Sequence, residues 1–348
     1  MALKDIRKLD LAQIEAYMAS IDEKRFRAKQ VSEWLWKKSA TSFEEMSNLS
    51  KDLRDRLSKD FTIKPVKTKT AQFSNDGTIK SVFELHDTNV IEGVLIPADD
   101  RMTACVSSQV GCSLSCKFCA TGYMERMRNL DPGEIYDQVV AIDLLAKENF
   151  DHPLTNIVFM GMGEPLLNYK NVMDGINKIT SEDGLNMSPK RITLSTAGIA
   201  KMISKLADDE VKFNLALSLH AANDTKRNEI MPINETNTLE ALTESLLYFY
   251  QKTKNNITFE YIVFNGFNDE IQDAEELWKF ARKIPSKINI IEYNPIAEAD
   301  FVNAKADKIE EFARFLKNNG LIVNIRRSRG KDIDAACGQL ANKNLVNS

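Results

Sequence analysis

The sequence lacks the features that would place a protein in a membrane or outside the cell. No stretch approaches the roughly 20 apolar residues that a membrane span requires. The first ten residues, MALKDIRKLD, lack the apolar run of a secretion signal. Fourteen Gly and nine Pro in 348 residues are too few for a collagen-like or low-complexity chain. We therefore expect a folded cytoplasmic protein without a membrane partner, in a compartment where cysteines seldom form structural disulfides.

An excess of positive charge is also lacking. The 46 Lys and Arg against 50 Asp and Glu give a formal net charge of −4, which excludes a polycation that coats nucleic acid indiscriminately. Residues 24–38 are locally basic and contain one Phe and two Trp. This pattern is typical of a solvated basic helix with its tryptophans in the core, or of a module that contacts RNA, because cations neutralise phosphates and aromatic rings stack on bases. A second basic group comprises Arg326, Arg327, Arg329 and Lys331. This group predicts either a solvated strand end or a clamp on RNA phosphates.

The helix and strand patterns divide the chain into four parts. Residues 1–60 are predicted to form a small helical N-terminal domain, residues 61–100 a short β linker, and residues 327–348 a C-terminal segment. Between them, residues 101–326 alternate six strand patterns with helical ones, which predicts an α/β fold with a parallel sheet. Six units favour an incomplete (βα)6 TIM-like barrel, while a doubly wound sheet stays possible. In both folds ligands bind at the carboxyl ends of the strands.

Three of the five cysteines lie close together in a loop after the first of these strands, in the sequence Cys112-Ser-Leu-Ser-Cys116-Lys-Phe-Cys119. A structural zinc site needs a fourth ligand at a comparable spacing, and the only three histidines are more than 25 residues away. Three thiolates suit a [4Fe–4S] cluster that leaves one iron open for a ligand. The rival interpretation, three free cysteines in a core, requires this spacing to arise by chance.

The CxxxCxxC pattern at this place resembles the radical S-adenosylmethionine (SAM) superfamily. Further segments resemble, in order along the chain, the RlmN family of dual-specificity adenine-C2 methyltransferases of 23S rRNA and tRNA; they are CVSSQVGCSLSCKFCATG, FMGMGEPLLN, LSTAG, SLHAAND, MPIN, EYNP and DIDAACGQL. The resemblance implies one [4Fe–4S] cluster per chain, held by Cys112, Cys116 and Cys119. It also implies that the open iron binds SAM, which an electron from the cluster splits into methionine and a 5′-deoxyadenosyl radical.

The resemblance also assigns roles to the remaining two cysteines. One SAM methylates Cys337, and the radical from a second SAM removes hydrogen from the S-methyl group, so that a methylene radical adds to C2 of adenine. Glu92 matches the family's acceptor of the C2 proton. The Cys105 thiolate then attacks the sulfur of Cys337, which releases the methylated base and leaves a transient disulfide. From the residues alone, Cys105 and Cys337 could be small buried hydrophobes, and Glu92 could lie at a sheet edge reaching water.

The SAM pocket follows from the same resemblance and includes mainly polar residues that end predicted strands. Its predicted members are Gly163, Glu164, Ser195, Ser218, Leu219, His220 and Asn294. Without the resemblance, GMGEP could be a tight turn, and a lone His220 is not expected to be a metal ligand.

The resemblance further implies a flavodoxin-like or ferredoxin-like electron donor, a disulfide reductant and a monomeric enzyme. Two alternatives remain at this point. One is a C8-methylating enzyme of the Cfr type, although Pro165 favours the C2 family. The other is a non-catalytic iron–sulfur protein that binds RNA or senses redox state.

Overall fold

The computed structural model describes residues 3–342 and shows a helical module followed by one large sheet. The module consists of β1 (Lys4–Asp5), α1 (Leu11–Ser20), α2 (Phe26–Trp36), α3 (Lys51–Asp60) and β2 (Phe61–Thr62), with β1 and β2 paired in parallel. Asp10 begins α1 with a capping box to Gln13, and the Ser50 hydroxyl accepts from the backbone of Leu53 to begin α3. The helices predicted for the first 60 residues are therefore present, with a long connection over residues 37–50 between α2 and α3.

A ten-stranded sheet forms the rest of the core. Its strands are β3 (Lys67–Phe73), β4 (Ile79–Glu84), β5 (Val90–Ala98), β6 (Arg101–Cys105), β9 (Asn156–Phe159), β10 (Ile192–Thr196), β11 (Asn214–Ser218), β12 (Ile257–Ile262), β13 (Ser286–Ile291) and β14 (Ile322–Arg326). A separate antiparallel ribbon joins β7 (Gln109–Val110) to β8 (Arg128–Asn129). Strands β3 to β6 form an antiparallel meander, and β6 continues directly into the parallel strands. The boundary predicted near residue 100 thus lies inside one continuous sheet.

The parallel strands follow one another across the sheet in chain order, from β6 through β9 to β14. A doubly wound sheet reverses its strand order at a switch point, so this order excludes that alternative and confirms the incomplete barrel. Seven parallel strands are present, because β14 adds one strand after the six strand–helix units. The helices that follow the strands are α4 (Pro132–Phe150), α5 (Tyr169–Thr180), α6 (Ala200–Asp208), α7 (Asp224–Ile230), α8 (Leu239–Thr253), α9 (Ile271–Ala281) and α10 (Ala306–Asn318). Among residues 3–342, none of the helices has both the length and the apolar character that crossing a bilayer requires.

The helical module is fixed to the barrel through α4. The guanidinium of Arg7 donates to both carboxylate oxygens of Asp137 on α4, at 2.9 and 2.8 Å, and also pairs with Asp5. On the same side of α4 the Tyr136 hydroxyl donates to the carbonyl of Trp36, at 2.6 Å. Trp36 is only 2% exposed, so this tryptophan belongs to the core. Burial raises the pKa of Asp137, although Arg7 opposes that shift.

We expect Arg7→Met to destabilise the fold by about 3–5 kcal/mol, because it leaves the Asp137 carboxylate buried without its partner. Without Arg7, burying the Asp137 carboxyl costs less when it is protonated than when it is charged. We therefore expect a larger loss in the free energy of unfolding in mildly alkaline than in mildly acidic buffer. Urea denaturation of the wild type and the variant measures both effects.

Lys8→Met is the matched control for this experiment. Lys8 forms an ion pair with Asp131 at the start of the same helix, but its side chain is 45% exposed. An exposed pair of this kind contributes about 0–1 kcal/mol. If the two variants lost equal stability, Arg7 would not be the anchor of the module.

Candidate active site

The loop that carries the three clustered cysteines lies between β6 and α4, at the carboxyl ends of the parallel strands. Its apolar side chains Leu114 and Phe118 pack into a small core with Ile230 and Met231 from the region after β11, and the cysteines pack against that core. The backbone of Lys117 donates to the carbonyl of Ile230, at 3.0 Å. These contacts hold the loop over the mouth of the barrel, where the fold is expected to bind ligands.

Cys112, Cys116 and Cys119 border one cavity, with about 910 Å³ of empty space open to solvent. Burial raises the pKa of all three thiols, that of Cys112 to about 11, and the charges of the neighbouring thiolates raise those of Cys112 and Cys116 further. Bound iron would offset this cost of deprotonation, since a metal ion favours the thiolate. The three thiols border one cavity, as a cluster held by three thiolates requires.

Five of the seven residues predicted to bind SAM border the same cavity, namely Gly163, Glu164, Ser195, Ser218 and His220. Leu219 does not: its side chain is fully buried, and its carbonyl accepts a hydrogen bond from Arg227 at 3.1 Å. Asn294 lies beside the cavity, where its amide nitrogen donates to the carbonyl of Cys337 at 3.2 Å. Its buried amide oxygen has no hydrogen-bond partner within residues 3–342 and is available to a bound ligand.

The GMGEP segment is shaped by close backbone approach. Gly163 has φ of 92°, and a Cβ there would lie 2.4 Å from the Cβ of Gln109, so only glycine fits. The next residue, Glu164, is buried, and its two oxygens accept from the backbone of Leu166 at 3.0 Å and of Ala197 at 2.8 Å. Burial raises the pKa of this carboxyl, while these hydrogen bonds lower it. The carboxylate is thus fixed at the cavity wall, where a ligand ammonium can meet it.

His220 is a neutral part of this wall. Burial, with help from the charge of Arg227, lowers its pKa to about 3. Its Nδ1 accepts from the backbone of Ile262 at 3.1 Å, which places the ring proton on Nε2, and its ring packs edge-on against Phe118. These contacts agree with the expectation that His220 is not a metal ligand.

A second, smaller cavity contains the remaining two cysteines. Cys105 ends β6 and is buried, whereas Cys337 is exposed, and both border this space of about 550 Å³. Cys337 also borders the larger cavity, so its side chain stands between the two. Burial, followed by the nearby charge of Cys337, raises the pKa of Cys105 to about 12, and the guanidinium of Arg326 at the same cavity opposes the shift.

Glu92 is buried rather than located at an edge. It faces Val82 in the pairing of β4 with β5, and Val94 two residues later faces Cys105 in β6. Paired residues project to the same side of an antiparallel sheet, so Glu92 and Cys105 share one face. The C-terminal segment covers that face, and Glu92 Oε2 accepts from the backbone of Ala341 at 2.9 Å. Glu92 borders neither of the two cavities.

Buried charged residues near the site that were not predicted include Arg227, Lys80 and Glu260. Arg227 on α7 is fully buried and donates to the carbonyls of Leu219, Ala197 and Ser218. Lys80 on β4 is buried beside Glu92. The sequence gives no sign that an arginine in a short helix is buried. Lys80 could have been predicted to be buried, because alternation along β4 places it on the same face as apolar Val82.

Two family models match the chain. One describes the ribosomal RNA large subunit methyltransferase N-terminal domain and matches residues 4–63, and the other describes the radical SAM superfamily and matches residues 106–280. A curated protein of Cytophaga hutchinsonii named "Probable dual-specificity RNA methyltransferase RlmN" is 66% identical, over 98% of this chain and 94% of its own length. The chain belongs to the RlmN family.

A second curated protein and a solved structure are also similar to this chain. A protein of Flavobacterium johnsoniae with the same name as the Cytophaga protein is 55% identical, over 98% of this chain and 97% of its own. The crystal structure of a radical SAM methyltransferase from Sphaerobacter thermophilus superposes with a TM-score of 0.91 at 38% identity and covers 97% of this chain and 99% of that one. Membership in the RlmN family confirms the predictions of a radical SAM methyltransferase and of a [4Fe–4S] cluster and SAM as its cofactors. The roles of individual residues remain predictions.

We expect anaerobically purified protein to contain about four iron and four sulfide per chain and to be brown, because three thiolates hold one cluster. Cys116→Ala should lose iron and the visible absorption, since two thiolates do not retain the cluster. Iron and sulfide analysis with absorption spectroscopy measures this. Ser115→Ala, which alters the same loop without removing a thiol, is the control, and a zinc-loaded, iron-free enzyme with full activity would contradict the assignment.

Proposed function

We propose that this chain methylates C2 of adenosine in 23S rRNA, at the peptidyl-transferase centre, and in tRNA, next to the anticodon, with Cys337 as the methyl carrier. The observation that carries the proposal is the place of Cys337, which borders both the cavity of the cluster cysteines and the cavity of Cys105. A residue that receives a group at one site and delivers it at another must face both sites. A thiol held between the two cavities reacts within the bound complex, so each transfer avoids the entropy cost of a bimolecular encounter in solution.

When bound, the cluster and SAM supply the methyl group and the radical that removes hydrogen from it. The residues of the chain do the rest. The exposed thiol of Cys337 accepts the methyl group, and Asn294 holds the backbone of Cys337 through its carbonyl. We assign Glu92 as the acceptor of the C2 proton from the family resemblance alone, because it lies on the same face of the sheet as Cys105 but borders neither cavity. The Cys105 thiolate then forms a bond to the Cys337 sulfur as the bond from that sulfur to the RNA-bound carbon breaks. The released carbon takes up a proton to become the methyl group, and the unpaired electron left by the radical addition passes to a one-electron acceptor, a role that the bound cluster would supply.

The helical module offers the stronger candidate surface for RNA. Within the described part of the chain, Lys24, Lys29 and Lys37 are exposed and form no ion pair, and Phe26 is 49% exposed beside them. Free ammonium groups next to an aromatic ring suit phosphates and an unstacked base. We therefore propose this surface as the main contact with RNA, on a module that Arg7 holds against the barrel.

The second basic group is already largely paired. Arg327 and Lys331 both bind the carboxylate of Glu292, at 2.8 and 2.7 Å, and Arg326 binds Glu260 at 3.3 Å. Hydrogen bonds from the two cations lower the pKa of Glu292 to about 2 although burial opposes the shift, so this carboxylate stays charged at neutral pH. We propose that these cations mainly order the chain ahead of Cys337 and contribute less to phosphate binding.

The proposed cycle also requires other partners. Cluster reduction needs an external electron donor of the flavodoxin or ferredoxin type, and the Cys105–Cys337 disulfide needs a reductant after each turnover. We propose that the enzyme acts as a monomer in the cytoplasm, where both RNA substrates are found.

Nucleoside mass spectrometry of RNA from cells with and without the gene tests the regiochemistry. We expect 2-methyladenosine in rRNA and tRNA to disappear with the gene and to return with the wild-type copy. Loss of 8-methyladenosine instead would assign the enzyme to the Cfr type. No change in either nucleoside would support a non-catalytic iron–sulfur protein.

The alanine variants of Cys105 and Cys337 should accumulate different products. Cys105→Ala still accepts the methyl group and attacks C2, so it should accumulate protein joined covalently to RNA through Cys337. Cys337→Ala has no methyl group from which hydrogen can be taken and should form no adduct. A denaturing gel of both variants, with and without nuclease, detects the adduct. Active enzyme from both variants would contradict the carrier mechanism, whereas two merely structural cysteines predict similar, mild losses of stability.

A further inference from the structure

A buried ion pair lies in the antiparallel meander beneath the C-terminal segment. The Lys80 Nζ is 3.6 Å from Glu92 Oε1, and the two side chains are 2% and 1% exposed. Lys80 faces Val94 in the pairing of β4 with β5, and Val94 faces Cys105 in the pairing of β5 with β6. The ammonium, the carboxylate and the Cys105 thiol therefore project from the same face of the sheet.

The same ion pair contacts both ends of residues 334–342, here called the carrier segment. Lys80 Nζ donates to the carbonyl of Asp334, at 3.4 Å. Glu92 Oε2 accepts from the backbone of Ala341 at 2.9 Å and of Asn342 at 3.1 Å. Cys337 lies between these two anchor points, so one pair of opposite charges holds the chain before and after the carrier cysteine.

The middle of the carrier segment is attached to the barrel and to the cluster loop. Asn294 donates to the carbonyl of Cys337, and Gln339 donates to that of Pro295, both at 3.2 Å. The Gly338 carbonyl accepts from the backbone of Ala120 at 2.7 Å, and the Leu340 carbonyl accepts from the Thr121 hydroxyl at 2.6 Å. Both contacts come from the turn that follows the cluster cysteines, so they place the segment relative to the cluster. On the meander, the Lys80–Glu92 pair contacts both ends of the segment, and the Asn342 side-chain amide also donates to the carbonyl of Val90 at 2.9 Å.

The chemistry of the pair favours a positioning role over a stabilising one. Burying two charges costs free energy that their attraction only partly offsets, and such pairs are replaceable by apolar residues where stability alone matters. Glu92 Oε1 has no hydrogen-bond donor within residues 3–342, so Lys80 is the cation that balances it. Without Lys80, Glu92 becomes a buried unpaired charge, and the hydrogen bonds from Ala341 and Asn342 lose a fixed acceptor.

We propose that Lys80 is a positioning residue for methyl transfer: through Glu92 and the carbonyl of Asp334 it fixes both ends of the carrier segment and holds Cys337 between the two cavities. This role rests on the proposed function of Cys337 as methyl carrier. Loss of Lys80 should release the two ends of the carrier segment and leave the barrel, the cluster loop and the Cys337 thiol in place. A defect in positioning can therefore be told apart from a defect in the fold or in the thiol.

Hydrogen exchange of the full-length, cluster-loaded enzyme measures the anchoring directly. We expect Lys80→Met to speed exchange of the amides of Ala341 and Asn342 by about tenfold or more, with no change in the amides of β11. Lys80→Arg, which keeps the positive charge, should restore most of the protection. Lys69→Met is the matched control, because Lys69 pairs with Glu84 in the same meander but is 44% exposed.

A second measurement links the anchoring to the reaction. Mass spectrometry of the isolated protein gives the fraction of Cys337 that carries a methyl group, and we expect Lys80→Met to lower that fraction by about fivefold or more, with recovery in Lys80→Arg. If Lys80→Met does not fold, Lys80→Met in the Glu92→Gln background removes the unpaired charge. That double variant should then load less methyl than Glu92→Gln alone.

The outcomes separate this proposal from the proposed function. Unchanged amide exchange and methyl loading in Lys80→Met, in a wild type that loads methyl on Cys337, would overturn the positioning role and leave the proposed function intact. A wild type that methylates RNA without methyl on Cys337 would overturn both. Faster exchange throughout the barrel as well as the carrier segment would show a structural role only and would also overturn the proposal.

Discussion

The hydrogen bonds that Glu92 accepts from the backbone of Ala341 and Asn342 bring the end of the chain back across the sheet. The position of Cys337 depends on that return, because Cys337 reaches the barrel mouth only when residues 334–342 lie on the meander. The meander in turn is continuous with β6, so the carrier, Cys105 and the loop with the cluster cysteines are all placed by one sheet. A rigid sheet thus supplies the alignment that two successive transfers require.

Buried charged groups surround this site, and those discussed above have specific partners. Arg227 donates to three backbone carbonyls, Glu164 accepts from two backbone amides, and Lys80 is paired with Glu92. Buried polar groups cost little only when their hydrogen bonds are satisfied, and interactions are stronger where water is excluded. Most of these partners are main-chain atoms at the ends of strands. The hydrogen bonds that stabilise the buried charges therefore also fix the backbone around the larger cavity.

The sequence predicted the local features of this enzyme and missed the contacts made across long sequence separations. The spacing of Cys112, Cys116 and Cys119 indicated a cluster because the three residues lie within eight positions of each other. By contrast, parity placed Glu92 on an apolar face but favoured a sheet edge. The segment that buries Glu92 is 249 residues away in the chain. No local pattern encodes a contact of that kind, and Leu219, predicted at the cavity, instead points into the core.

The different surroundings of Cys337 and Cys105 explain how Cys337 can accept the methyl group while Cys105 stays unmethylated. Cys337 is exposed and borders the larger cavity, so a methyl donor bound there can contact its thiol. Cys105 is buried and borders only the smaller cavity, so its thiol does not face that donor. Burial raises the pKa of both thiols, so their positions, and not their acidities, separate their roles. In the smaller cavity the guanidinium of Arg326 lowers the pKa of Cys105, which favours the thiolate that must later attack the Cys337 sulfur. The division of roles between two identical side chains thus follows from where the sheet and the carrier segment place them.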